Sequence, residues 1–297
     1  MKRVLVLLFC SFMYLGAAAQ SEQKPVVGES KSKTDTVVKD WRTIADPKKT
    51  VKLPAGSSRL NKKAPVVFIC GDSTVKNGSG KGVGGMWGWG DFLHLYLDST
   101  RITCENHALG GRSSRTYYTE GLWDNVLKGV RKGDFVIVQF GHNDGGPLNT
   151  GRARASLRGT DESSQNVIME KTGKPETVYT FGHYIRIFAR QAKAKGATVI
   201  IMSYTPSNAW SPKGDMHRCT TTYAAWSKTV ADEESVYYID ENEIAARKFE
   251  AMGMTEAQKL YKDSAHTTYG GAIVNCESII QGIKAIPKCP LNKYIIK

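Results

Sequence analysis

The stretch VVFICGDSTVKNG, residues 66–78, runs through β-branched and apolar residues and stops abruptly at Gly71-Asp72-Ser73. A serine hydroxyl at such a point is a latent nucleophile, which attacks an acyl carbon only when a base takes its proton. A serine there equally suits the cap of a following helix. The base would be one of six histidines. His94 and His183 fall on predicted helices, and His217 lies in a loop with no partner pattern. His107 and His142 follow strands, each ahead of another polar residue better placed for a role. His266 differs, because Asp263 precedes it by three residues in DSAH. A turn brings such a pair onto one side, where a carboxylate can hold the Nδ1 proton and aim Nε2 at a serine. The same spacing fits a cap and the first turn of the final helix.

Acyl transfer also needs donors aimed at a tetrahedral oxygen. Gly110-Gly111 can expose backbone N–H groups, Asn143 its side-chain amide, and Ser73 its own N–H. Taken singly, the glycines suit a tight turn and Asn143 an Asx-turn. Their joint placement after strands is what points to chemistry. Other motifs are absent: there is no GxSxG elbow, and in KNGSGKGVGG Gly82 follows Lys81 where a phosphate loop needs Ser or Thr.

The positioning elements are legible from residue 64 onward. Apolar runs at PVVFIC, RITCENH, DFVIVQFG, ATVIIMSYTP and SVYYIDE alternate with amphipathic stretches WGDFLHLYLD, LWDNVLKGVRKG, TVYTFGHYIRIFARQAKAKG and ENEIAARKFEAMG. A last helix is predicted from about Tyr269 to Ala285. Continuous β-branched runs between helices predict a single α/β domain over 64–297, a doubly wound sandwich around a five-stranded parallel sheet. In such sheets ligands bind beyond the carboxyl ends of the strands, where GDSTVKNG, NHALGGRSSRTY, GHNDGGPLN and TPSNAW all fall.

The chain has 297 residues, 41% hydrophobic and 23% charged, within the globular range. Its first twenty residues, MKRVLVLLFCSFMYLGAAAQ, have a basic start, a short apolar core and a small-residue end. They read as a secretory signal peptide over 1–19, cut near Ala19, too short in its apolar core for a stable membrane span. The expected mature protein is secreted or periplasmic. Residues 20–63 are rich in Lys, Ser, Thr and Pro and read as a polar, basic, flexible tether. The net charge of +13 is weighted toward this segment, and no basic helix or aromatic-interleaved sheet suggests a nucleic-acid partner. A basic balance also suits an acidic polysaccharide or a membrane surface. Five cysteines follow the signal, an odd number without a CxxC pair, so zinc or redox use has no support. A bridge between Cys276 and Cys289 is left open.

GDST with Ser73, NHALGGRSSRTY with Gly111, FGHND with Asn143 and DSAH with Asp263 and His266 together resemble the four blocks of the SGNH (GDSL-like) hydrolases. The resemblance spans residues 66–275. GDSTVKNG, GWGDFL, GRSSRTY, FGHNDGG and TPSNAW are most similar to the rhamnogalacturonan acetylesterases among them. It implies a flavodoxin-like fold and a Ser73–His266–Asp263 triad. It also implies an oxyanion site of the Ser73 N–H, the Gly111 N–H and the Asn143 amide, with no metal and no cofactor. Two departures stand out. Ala265 occupies a position where the family often has another residue, and 151–177 is long and idiosyncratic, which bears on the substrate.

The implied activity is removal of O-acetyl groups from an acetylated acidic polysaccharide, foremost pectic rhamnogalacturonan. Arg112, Arg115, Arg152, Arg154 and Arg158 lie on loops after two strands and could meet uronate carboxylates. For any one of them the plainer reading is surface solvation or, for Arg112 and Arg115, bracing of the oxyanion loop. Trp210, on the loop after the fourth strand, suits a sugar platform, while Trp87, Trp89 and Trp123 suit core. Competing readings keep the ester chemistry on acetylated xylan, lipid or thioester, or transfer the acyl group elsewhere. A different class, a carbohydrate-binding protein with a decayed site, predicts a missing triad member, and none is missing.

Overall fold

A computed structural model describes residues 59–296. The expected signal peptide and most of the expected tether, up to residue 58, lie outside the described residues.

Five strands form one parallel sheet: β1 (Val66–Gly71), β2 (Thr103–Asn106), β3 (Phe135–Gln139), β6 (Thr198–Met202) and β7 (Tyr237–Ile239). Their order is β2-β1-β3-β6-β7. The chain leaves β1 toward one edge and returns to its other side at β3, so the order reverses between these two central strands. That switch point opens a crevice at their carboxyl ends. Every residue of β1 and β3 is buried, as expected of strands covered on both faces.

Alternation along β1 divides the core. Val67 and Ile69 face one layer with Trp89, Phe92, Ile273, Ile279 and Ile283. Val66, Phe68 and Cys70 face the other with Tyr117, Trp123, Phe181, Phe188 and Val230. The first layer rests on helix α7 (Tyr269–Lys284). The second is built from α1 (Ser114–Thr119), α2 (Leu122–Gly129), α3 (Phe181–Ala194) and α4 (Tyr223–Glu233). Helices α5 (Glu241–Met252) and α6 (Met254–Gln258) complete the path from β7 to α7. Among the described residues no helix is long and apolar enough to cross a membrane.

Two segments depart from expectation. WGDFLHLYLD forms short 3-10 turns at Trp89–Asp91 and Leu93–Tyr96 rather than an α-helix. The reason is where its donors go: Trp89 N–H and Gly90 N–H bond to the carbonyls of Thr74 and Val75 at 3.2 and 2.9 Å. A Cβ at Gly88 would stand 2.3 Å from the Val75 carbonyl, so glycine is what permits this approach. The idiosyncratic segment after β3 holds an antiparallel hairpin, β4 (Ser164–Ile168) with β5 (Pro175–Tyr179), separate from the main sheet.

The chain is already fastened to the sheet at Arg59. Its guanidinium forms two 2.7 Å bonds to Asp134, whose buried carboxylate also accepts the N–H groups of Val66 and Arg131. All five described cysteines are free thiols, so Cys276 and Cys289 form no bridge.

Candidate active site

Ser73 lies on the turn that ends β1. Asp72 makes the turn: its carboxylate accepts from the Thr74 N–H and hydroxyl, and its carbonyl from the Val75 and Lys76 N–H groups. No helix begins at this turn, so Ser73 has no helix to cap. Its hydroxyl instead lies 2.8 Å from His266 Nε2.

His266 and Asp263 sit on the irregular segment before α7. That helix is capped by Thr268, whose side chain accepts the Gly271 N–H, which leaves Asp263 free of the capping role. Asp263 Oδ2 is 2.7 Å from His266 Nδ1, while Oδ1 accepts the N–H groups of Ala265 and His266. Burial works to raise the Asp263 carboxyl, but those N–H groups and the ring outweigh it and hold the carboxyl below its ordinary range. Neighbours fix the segment from both sides: Asn208 N–H donates to Ser264 O, and Trp87 N–H to Thr267 O. The result is a half-exposed chain of carboxylate, imidazole and hydroxyl, able to take a proton from Ser73 as its oxygen attacks.

The expected oxyanion donors lie on loops that are tied to one another next to Ser73. Gly110 packs on Ser73, a Cβ there standing 3.5 Å from that of Ser73. Gly111 follows at φ +80°, a conformation that favours glycine. Among the described residues neither the Ser73 N–H nor the Gly111 N–H donates to another protein group. Asn143, at the end of β3, spends one amide N–H on Arg112 O at 2.9 Å and keeps the other. Such unspent, fixed donors can stabilise charge on a tetrahedral oxygen.

Behind them lies a buried support that sequence reasoning missed. Asp144 accepts the Ser114 N–H and both the Ser114 and Ser156 hydroxyls, tying the start of α1 to the loops after β3. Burial pushes its carboxyl up to about 6, against those serine bonds. Its position directly after Asn143, with two serines in GRSS, was the available signal. His142 also plays a supporting part, with Nε2 2.9 Å from Thr205 Oγ1 and its ring against Tyr204. His107 pairs with Glu105.

The expected substrate contacts separate. Arg115 is fully buried and is no substrate contact: it donates to the Leu148 and Ala155 carbonyls and pairs with Glu176. Its donors are spent on bracing the loop after β3 against α1. Arg112 pairs with Glu120 and donates to Gly110 O. Arg152 is exposed. Trp210 is half-buried, with Nε1 bonded to Asn208 and the ring against an apolar cluster that includes Met216 and Phe249. Trp87, Trp89 and Trp123 are core.

The chain is 32% identical over 237 residues to a rhamnogalacturonan acetylesterase of Emericella nidulans, covering 79% of this chain and 91% of that one. It is 26% identical over 252 residues to the rhamnogalacturonan acetylesterase RhgT of Bacillus subtilis, covering 80% and 97%. Among solved structures, protein YxiM of Bacillus subtilis superposes with a TM-score of 0.60 at 25% identity, over 76% of this chain and 57% of that one. The acetylxylan esterase Axe2 of Geobacillus stearothermophilus, at 16% identity, 73% and 93% coverage and a TM-score of 0.50, shares the fold. Residues 69–271 match the GDSL-like lipase/acylhydrolase family, and the chain belongs to it.

Proposed function

We propose that this protein is an exported serine esterase that removes O-acetyl groups from a plant cell-wall polysaccharide, foremost pectic rhamnogalacturonan. The observation that carries the reading is the continuous hydrogen-bonded chain Asp263–His266–Ser73 beside unspent backbone donors.

In the first half-reaction Ser73 Oγ attacks the acetyl carbonyl carbon as its proton passes to His266 Nε2. Asp263 stabilises the imidazolium. The tetrahedral oxyanion rests on the Ser73 and Gly111 N–H groups and the free Asn143 N–H. Collapse breaks the bond to the sugar oxygen, which takes the proton from His266 and leaves as a hydroxyl. Water then attacks the acetyl-Ser73 ester with His266 as base, and acetate departs as Ser73 regains its proton.

The pectic assignment is supported by the similarity to two rhamnogalacturonan acetylesterases and by the arginines on the loop at residues 150–158. Export is supported by the signal-like first nineteen residues. The test is acetate release by the protein from acetylated rhamnogalacturonan and acetylated xylan side by side. Release confined to the pectic polymer is expected. Equal release from both polymers, or release only from a small aryl acetate, overturns the substrate assignment.

A further inference from the structure

The arginines around the site are of two kinds. Arg112 and Arg115 each hold a carboxylate, Glu120 and Glu176. Among the described residues Arg152, Arg154 and Arg158 pair with none. Arg158 lies with its guanidinium 5.4 Å from the centre of the Trp226 ring, and Arg152 is exposed. Arg154 is the one that reaches the site.

Its position is fixed at both ends. The Ser113 hydroxyl donates to the Arg154 carbonyl at 2.5 Å, and Arg154 Nη1 donates to the Gly111 carbonyl at 3.0 Å. Nη1 stands 3.8 Å from where a Cβ at Gly111 would lie, and the preceding Gly110 packs on Ser73. Nε and Nη2 donate to no protein group among the described residues. The group is half-buried. Burial and the neighbouring Arg152 charge both push its pKa down, and Asp72 and Asp144 only partly offset them. An arginine that is partly desolvated, beside a like charge and without a counter-ion, is disfavoured in the free protein and relieved by an arriving anion.

We propose that Arg154 is a specificity-determining residue whose free guanidinium edge binds a uronic acid carboxylate of the acetylated chain. The planar fork matches a carboxylate in two parallel bonds, and a side chain already held at both ends loses little freedom on binding. This rests on the esterase reading above and adds to it the group that distinguishes a pectic chain from a neutral one. A neutral xylan backbone offers Arg154 no such partner.

Arg154 also holds Gly111 O, so its removal lowers turnover on every substrate. A ratio separates the two roles. The experiment compares kcat/KM of the wild type and Arg154→Gln on acetylated rhamnogalacturonan oligosaccharides and on the same oligosaccharides with their galacturonate carboxyls methyl-esterified. An aryl acetate reports the shared loss and an intact fold. The wild type should prefer the free carboxylates by roughly 10–100-fold, the value of a charge-assisted hydrogen bond, and the variant should lose that preference. Arg154→Lys, which keeps the charge without the fork, should keep part of it. A preference undiminished in Arg154→Gln, or absent from the wild type, overturns the assignment of Arg154 and leaves the esterase reading standing. No acetate release by the wild type from either pectic form overturns both. If Arg154→Gln does not fold, the wild-type preference at low and high salt decides: it should shrink as ions screen the pair, and a salt-independent preference overturns the proposal.

Discussion

His266 Nε2 lies 2.8 Å from Ser73 Oγ although 193 positions separate the two residues in the chain. One is carried by the turn after a central strand, the other by the segment before the last helix. Their meeting depends on α7 packing against the layer that holds Trp89 and Phe92, and on the bridge between Trp87 and Thr267 next to His266. The site is therefore a product of the whole sandwich.

Asn143 supplies a side-chain donor from the end of β3. Asn143→Ala should lower kcat on an aryl acetate by roughly 10²–10³, the usual effect of losing one oxyanion donor. Steady-state kinetics with the fold checked by circular dichroism decides it. An unchanged kcat would remove Asn143 from the site.

Gly111 holds φ +80° with open space around it, its nearest prospective neighbour being Arg154 Nη1 at 3.8 Å. The cost of Gly111→Ala is therefore conformational rather than steric, about 1–2 kcal/mol. Urea unfolding should show that loss. Unchanged or increased stability would contradict it.

Asp144 has a carboxyl pushed up to about 6 by burial. The native state thus binds its proton more tightly than the unfolded chain does. Its contribution to stability is full below pH 4 and is lost as pH rises through 6. Measured against Asp144→Asn, wild-type unfolding free energy should fall by about 2 kcal/mol between pH 4 and pH 7. A difference independent of pH would show that Asp144 does not titrate in this range.

Arg59 covers the buried Asp134 carboxylate at the start of the described chain. Arg59→Ala leaves that charge without its cation and should cost about 3–5 kcal/mol. A loss below about 1 kcal/mol would mean that the Val66 and Arg131 N–H groups alone satisfy Asp134.

What the sequence discloses follows from how local each determinant is. β1 and β3 are buried on both faces, so they read as unbroken apolar runs, and the residues that follow them mark the crevice without further information. WGDFLHLYLD has an apolar pattern compatible with a helix, yet its backbone donors bond to the turn after β1, a contact that periodicity cannot encode. The hairpin at 164–179 is missed because its first strand is almost wholly exposed and carries no apolar alternation. Arg115 and Arg154 sit in similar company in the chain, but one is buried against Glu176 and two carbonyls while the other lies half-open beside Gly111. Only the packing of the loop after β3 on α1 separates their roles.

The most direct test of the central claim is acetate release from acetylated rhamnogalacturonan by the wild type and by Ser73→Ala, with unfolding curves recorded for both. Release by the wild type is expected, with a loss of at least about 10⁴-fold in the variant and unchanged cooperativity of unfolding. Release by a folded Ser73→Ala protein at a rate near that of the wild type would contradict it.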